Sequence, residues 1–263
     1  MSLDIPAALE DGFSRALTRV AAILVVVYLV VGAISTVTTQ TLAVAVTDAL
    51  QLADSTTGAG MPPGAGSGAG GASPLALDVG LPVAVALFLA QIVVAQAVGV
   101  VTIRTFVSDA RRTFPQGVTR RFGWVVVNAL VAGFIVNVLI GLGTVLLVLP
   151  GIYLAVALYF VQFEVIVEDK NAIDALRDGW ELTKGERLGV FLLLLVVFAI
   201  GLVSALPGII LQFVGVSPPA ITAVTVVVGA VTGVVSSAIG ARAYVQLKPS
   251  GWSPPGGGPS PFA

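Results

Sequence analysis

The sequence predicts an all-α polytopic membrane protein with six transmembrane helices and an interfacial amphipathic helix between spans four and five. Three observations predict this class. The 263 residues are 57% hydrophobic and only 10% charged, whereas soluble domains carry about 25% charged residues. Six apolar runs stand where membrane spans of roughly 20 residues fit. All 13 lysines and arginines fall either at the two ends of the chain or in alternate connections between those runs.

The order of apolar and polar runs gives the predicted spans and their flanks. The spans cover residues 17–37, 81–103, 122–149, 152–167, 188–206 and 220–241 of a membrane domain at 17–248. The cytoplasmic segment 1–16 is expected to form an interfacial helix, because its acidic residues are unlike a cleaved signal peptide. Residues 38–53 are amphipathic and either extend the first span or lie along the membrane surface. A Gly/Ala/Pro loop at 54–74 is expected to be flexible, and a cytoplasmic tail at 249–263 to be disordered.

The tetrapeptide Leu-Pro-Gly-Ile occurs twice, at 149–152 and 206–209. Each copy follows a span that begins at a charged connection. Because Pro-Gly pairs favour turns, we expect a tight turn at the first copy, between spans three and four. The second copy is expected to end span five, and residues 210–219 to form the second uncharged turn, before span six. The recurrence hints at an internal duplication.

The basic residues predict the orientation. They are Arg15 and Arg19; Arg104, Arg111, Arg112, Arg120 and Arg121; Lys170, Arg177, Lys184 and Arg187; and Arg242 and Lys248. With six spans, these four groups all face one side, which the positive-inside rule assigns to the cytoplasm. We therefore expect a multi-pass protein of the cell (plasma) membrane with both termini in the cytoplasm.

The segment 164–187 carries seven of the 14 acidic residues. A helix is expected from Asn171 to Gly185. Ile173, Leu176 and Trp180, with Ala172 and Gly179, form one apolar stripe that is expected to lie in the cytoplasmic interface. The carboxylates allow two interpretations, a metal or acid–base site and a solvated helix with ion pairs. The second is favoured because lysine and arginine interleave throughout and no paired Asp-x-Asp ligand loop occurs. No metal or cofactor is predicted.

Glu164 stands near the end of the fourth span and Arg104 at the matching end of the second. An ionisable group inside the membrane boundary is costly unless it is paired, and it is a candidate for function. We expect these two residues to form an intramembrane ion pair. The favoured interpretation is a structural pair that snorkels to the interface.

Small residues recur every four positions in the sixth span. Gly229, Gly233 and Ser237, followed by Ala241, form a small-xxx-small face, on which helices approach closely. This face packs either within the chain, which is favoured, or against a second copy. The amides inside the spans, such as Gln91, are expected to serve packing, since an acid–base chain for proton coupling is missing from the spans.

The segment FEVIVEDKNAIDALRDGWELTKG resembles a recurrent motif of uncharacterised six-span membrane proteins of haloarchaeal type, which are related to the membrane domain of glycerophosphoryl diester phosphodiesterases. The matching residues are Glu168, Asp169, Ala175, Leu176, Gly179, Leu182, Lys184 and Gly185. The resemblance covers roughly residues 80–245. It implies a compact six-helix domain with an interfacial helix. It implies no catalytic residues, because a separate soluble domain performs catalysis in those phosphodiesterases.

The absence of histidine and cysteine restricts the classes of function that the chain can perform. The chain has no histidine, the commonest general base, and no cysteine. We therefore do not expect an enzyme, and we expect a non-enzymatic membrane domain that organises lipids or partner proteins. The alternative is a small-solute or lipid transporter or permease. The expected partners are the lipid bilayer and a membrane protein or second copy, with no nucleic acid.

Overall fold

A computed structural model describes residues 3–57, 73, 75–108, 111, 113–115, 117–249 and 251–253. Within these ranges the chain forms helices and no strand, which confirms the all-α class. The helices are α1 (Ile5–Ala16), α2 (Arg19–Thr57), α3 (Leu81–Val107), α4 (Phe122–Leu146), α5 (Val148–Ala157), α6 (Val161–Glu168), α7 (Ala172–Thr183), α8 (Arg187–Phe213) and α9 (Pro218–Leu247).

Six stretches of the described chain are long and apolar enough to cross a membrane. They are Arg19–Gln51, Leu81–Val107, Phe122–Leu146, Val148–Glu168, Arg187–Phe213 and Pro218–Leu247. Their number and order agree with the six apolar runs of the sequence. α7 lies between the fourth and fifth stretches, where the sequence predicts an amphipathic helix.

Several helices are longer than the predicted spans. α2 is one helix of 39 residues, about 58 Å at 1.5 Å per residue, whereas the hydrocarbon core is about 30 Å thick. Residues 38–53 therefore extend the first span and do not form a separate surface helix. α8 likewise runs to Phe213 and α9 to Leu247. Hydropathy marks where side chains change polarity, but backbone hydrogen bonding continues past that point.

The two Leu-Pro-Gly-Ile copies do not mark equivalent turns. At the first copy the chain breaks at Leu147, whose backbone is extended, and α5 begins at Val148. Pro150 then falls in the first turn of α5, where a missing N–H costs nothing. The second copy is different, because Pro207 lies inside α8. α8 therefore continues past this copy to Phe213, and the chain turns within the predicted segment 210–219, where Gly215 has a φ of 78°.

The fourth span is the most buried of the six. Its most apolar window is 61% buried, against 28% or less for the others. It is built of two short helices, α5 and α6, which are interrupted at 158–160. Buried side chains from α3, α4, α6 and α7 pack together in one core, which includes Val100, Val125, Ala129, Val161, Val165, Ile166 and Ala175. α6 therefore lies in the protein interior.

The chain divides into two compact units. The first unit is Met1–Val27, Gln96–Val203 and Val231–Ala263, and the second unit is Tyr28–Ala95 and Ser204–Ala230. The charged segment 164–187 belongs to the first unit.

The two segments predicted to be flexible lie largely outside the described residues. The predicted loop 54–74 begins inside α2, which ends at Thr57, and most of the rest is not described. Of the predicted disordered tail, residues 249 and 251–253 are described. Trp252 donates a hydrogen bond to Glu168, so the expectation of disorder is wrong for the beginning of this tail.

Candidate functional site

α6 and the turn that follows it position the acidic residues of the first unit. Glu164 and Glu168 stand one turn apart on α6, so their carboxylates can face the same neighbour. Asp169 ends this helix with a φ of 54°, in the left-handed region that asparagine and aspartate tolerate best. α7 then begins after Asn171, whose side chain accepts hydrogen bonds from the backbone N–H groups of Ile173 and Asp174.

Glu164 is only 1% exposed, and both of its carboxylate oxygens are bound. Oε2 accepts a hydrogen bond from Lys170 Nζ at 2.7 Å. Oε1 accepts from Lys248 Nζ at 2.7 Å and from the hydroxyl of Tyr244 at 3.1 Å. The predicted Glu164–Arg104 pair is therefore wrong, because two lysines take the place expected for the arginine.

Arg104 instead binds the C-terminal end of α6. Its Nη2 lies 2.6 Å from Asp169 Oδ1, and its Nε donates to the carbonyl of Ile166 at 2.9 Å. Arg120 lies 2.6 Å from the other Asp169 oxygen. The last carbonyls of a helix lack intrahelical donors and carry partial negative charge. At this end of α6, Arg104 can bind the unpaired carbonyl of Ile166 and the Asp169 carboxylate together. This explains why it pairs with Asp169 and not with Glu164.

The lysines connect Glu164 to its surroundings. Lys170 also binds Asp178 of α7 at 2.7 Å, and Lys248 also binds Glu168 at 3.1 Å. The Lys248 ammonium lies 4.9 Å from the ring centre of Tyr244, within the range of cation–π attraction. We call this set of seven residues the Glu164 cluster: Glu164, Glu168, Lys170, Asp178, Tyr244, Lys248 and Trp252.

The ion pairs also act on the titration of Lys170. Burial by itself lowers the pKa of this ammonium group. Hydrogen bonds to Asp178 and Glu164, with the charges of both carboxylates, outweigh that effect and raise the pKa above its ordinary value of 10.5. Lys170 therefore stays protonated at neutral pH.

The geometry of the Glu164 cluster is that of an electrostatic clamp. Through the buried Glu164 carboxylate and its two lysines, it joins α6, the middle of α7 and the C-terminal end of α9. Among the residues that the structure describes, no group of three or more His, Cys, Asp or Glu side chains is placed to hold a metal ion. The cations that meet these carboxylates are lysines and arginines of the same chain.

The predicted stripe of α7 is divided in the structure. Ile173 is 76% exposed, whereas Leu176 and Trp180 are half-buried against the core. The fully buried residues of this helix are the small ones, Ala172, Ala175, Gly179 and Thr183. At Gly179 an added Cβ would lie 2.8 Å from a methyl group of Val161. Small side chains therefore set the contact between α7 and α6.

Arg187 forms an aromatic contact that the sequence analysis missed. Its guanidinium centre lies 4.8 Å from the ring centre of Tyr153 and 4.7 Å from that of Trp180. The two rings meet edge to face at 5.8 Å. The arginine therefore joins α5, α7 and α8. Tyr153 lies 34 residues before Arg187, and Trp180 belongs to a different helix from Arg187, so the sequence does not predict this contact.

The predicted packing face of α9 is rotated in the structure. An added Cβ at Gly229 meets no described atom within 4 Å, and Gly233 and Ser237 are only half-buried. Ala241, the fourth predicted position, is fully buried, but before it the fully buried positions of the repeat are Ala230, Val234 and Ala238. The buried face is one residue further along the helix, which corresponds to a rotation of about 100°.

The fold and the cluster define an all-helical protein with six helices suited to cross a membrane. Comparison with known families places it more closely. The chain belongs to the DUF7847 family, a domain of unknown function whose model matches residues 3–247. No curated protein and no solved structure matches the chain.

Proposed function

We propose that the protein is a non-enzymatic integral membrane protein of the cell membrane, which organises lipids or partner proteins. The observation that carries this proposal is the pairing of the carboxylates in the charged segment 164–187, the part of the chain where a catalytic site was most to be expected. Both oxygens of Glu164 are bound by ammonium groups of the same chain, and both oxygens of Asp169 by guanidinium groups. A carboxylate engaged in this way is suited to hold helices together, and it is poorly placed to meet a substrate.

The outer surface of the first unit supports a role in the bilayer. Large apolar side chains such as Phe134 and Val145 are 71% and 86% exposed. Contiguous apolar surface of this kind marks contact with lipid or with a partner protein. The bilayer is therefore the first proposed partner, and a membrane protein or a second copy is the next.

The proposed orientation places the charged connections and both termini in the cytoplasm. It rests on the position of all 13 basic residues at the two ends of the chain or in alternate connections. In this orientation α7 lies in the cytoplasmic interface, where the Trp180 ring and the Arg187 guanidinium stand at headgroup depth. Ile173, the exposed apolar residue of α7, then faces lipid.

We also propose a relationship to other families of membrane proteins. The motif around Glu168 and Gly185 supports a relationship between this DUF7847 chain and six-span proteins of haloarchaeal type, including the membrane domain of glycerophosphoryl diester phosphodiesterases. Such a domain accompanies a catalytic domain and does not itself catalyse.

The test compares bound molecules with transport. The full chain is purified in a mild detergent and analysed by native mass spectrometry, and the same preparation is reconstituted into liposomes. We expect lipid or a partner protein to be retained in a fixed ratio, and solute-driven swelling and flipping of a fluorescent phospholipid to equal those of protein-free liposomes. Retention of neither, together with transport above the protein-free control, would establish the transporter alternative and refute the proposal.

A further inference from the structure

The second unit contains a largely open cleft of about 380 Å³ between α2, α3 and α9, which we call the cavity. Ligand pockets of proteins are typically about 300–1,000 Å³, and an apolar cavity of about 150 Å³ already binds benzene. The cavity is therefore large enough for a substantial apolar ligand.

Small residues create this space. Gly32 of α2, Ala95 of α3 and Gly229 of α9 all line the cavity. A Cβ added at Gly229 would meet no described atom within 4 Å. The small-xxx-small position that the sequence assigned to helix packing therefore borders open space.

The cavity also presents polar groups with unused hydrogen-bonding capacity. The side chains of Gln91 and Ser35 line it and bond to no other residue in the described part of the chain. The neighbouring hydroxyl of Thr36 is different, because it donates to the carbonyl of Gly32 at 2.9 Å. α3 begins at Leu81, so Gln91 lies about 15 Å along this helix and near the middle of the span. An amide that lacks a hydrogen-bond partner at this depth is costly, and a ligand that supplies one is favoured.

The lining residues restrict the chemistry of the ligand. None of them is charged, so the cavity does not suit a phosphate or carboxylate head group. The Gln91 side chain both donates and accepts, and a hydroxyl group can match it in either role, whereas a ketone only accepts. We propose that this cavity binds a neutral long-chain alcohol, with its hydrocarbon chain between α2, α3 and α9 and its hydroxyl group on Gln91. This site is independent of the Glu164 cluster and of the role proposed for it.

Photolabelling of the full chain in lipid nanodiscs tests the proposal. The probes are 1-hexadecanol and hexadecane, each with a diazirine at the same carbon, and mass spectrometry maps the labelled peptides. We expect the alcohol to label the peptides around Gly32, Gln91 and Gly229 about five-fold more than the alkane does, which is the effect of roughly one hydrogen bond. Even labelling across all spans, or equal labelling of this site by both probes, would overturn the proposal.

Two variants sharpen the test. Gly229→Leu fills the cavity and should abolish labelling there by both probes, whereas Gly141→Leu, at an equally open glycine of α4, should leave it unchanged. Gln91→Leu should reduce labelling by the alcohol to the level of the alkane, with Gln212→Leu as its control. If Gly229→Leu does not fold, Ala95→Leu fills the same space. If a folded variant with a filled cavity were labelled at this site as strongly as the wild type, the proposed site would be refuted.

Discussion

At the scale of residues, Glu164 shows how the chain keeps a carboxylate inside its core. Its position near the end of an apolar run was enough to single it out from the sequence. Its partners were not predictable, because Tyr244 and Lys248 lie 80 and 84 residues further along the chain. Arg104 was predicted to pair with Glu164 because both residues stand at matching ends of their spans. In the structure, Arg104 binds the C-terminal end of α6 instead. Depth in the membrane is encoded locally, whereas pairing depends on how the helices pack.

Removing the charge of Glu164 tests the clamp. Glu164→Gln leaves Lys170 and Lys248 close together without their shared carboxylate, so we expect the free energy of unfolding to fall by about 2–3 kcal/mol. The control is Glu181→Gln, at an exposed carboxylate that pairs with Arg177. This variant should change stability by less than about 0.5 kcal/mol. Unfolding of the purified protein by denaturant in micelles measures both. Equal stabilities for the two variants would show that the cluster does not hold the fold.

Lys170 gives the clamp a pH dependence. Its pKa is raised above 10.5 in the folded protein, so protonated Lys170 binds more favourably in the folded state than in the unfolded state. Its contribution is therefore fully present below the unfolded-state pKa and is lost as the pH rises through the folded-state value. We expect the difference in stability between wild type and Lys170→Met to be constant up to about pH 10 and to shrink above it.

Thermal unfolding across this pH range measures the difference. Lys184→Met, at an exposed lysine outside the cluster, controls for the loss of a lysine in itself. A difference that grows with rising pH would contradict the sign of the shift.

At the scale of elements, α7 and α8 show what local sequence encodes and what it does not. The helix predicted from Asn171 onward is present, because its cap and its polar–apolar pattern are local signals. Its inward face was predicted only in part. Ala172 and Gly179 belong to the predicted stripe, whereas Ala175 contributes little hydrophobicity and Thr183 is polar, yet both are fully buried. Pro207 shows the opposite error, where a strong local turn signal is overridden within a long apolar helix.

Glycine substitutions test the contact between α6 and α7. At Gly179 an added methyl group would lie 2.8–3.0 Å from the side chain and backbone of Val161. We therefore expect Gly179→Ala to destabilise the protein by about 1–3 kcal/mol through overpacking. Gly99→Ala in α3 is the matched control, because an added Cβ there meets nothing within 4 Å. This control should be neutral or stabilising by up to about 1 kcal/mol. Destabilisation of the Gly99 variant alone would contradict the packing.

At the scale of the whole molecule, hydropathy predicts the number and order of the candidate spans, because each apolar run is a continuous local signal. It does not predict their ends, as α2 shows by continuing from an apolar run through an amphipathic one to Thr57. Hydropathy also does not predict the cavity, because the cavity forms where small residues of three separate helices lie next to one another. The proposed topology has six spans with every basic connection on the cytoplasmic side.

Cysteine accessibility tests this claim most directly, because the chain has no cysteine of its own. Leu147→Cys and Ser217→Cys place a thiol in the two uncharged connections, and Lys184→Cys places one in the charged segment. In intact cells, we predict that a membrane-impermeant maleimide labels the first two variants, and that it labels Lys184→Cys only after lysis. Labelling of Lys184→Cys in intact cells, or protection of either uncharged connection with labelling only after lysis, would contradict the account.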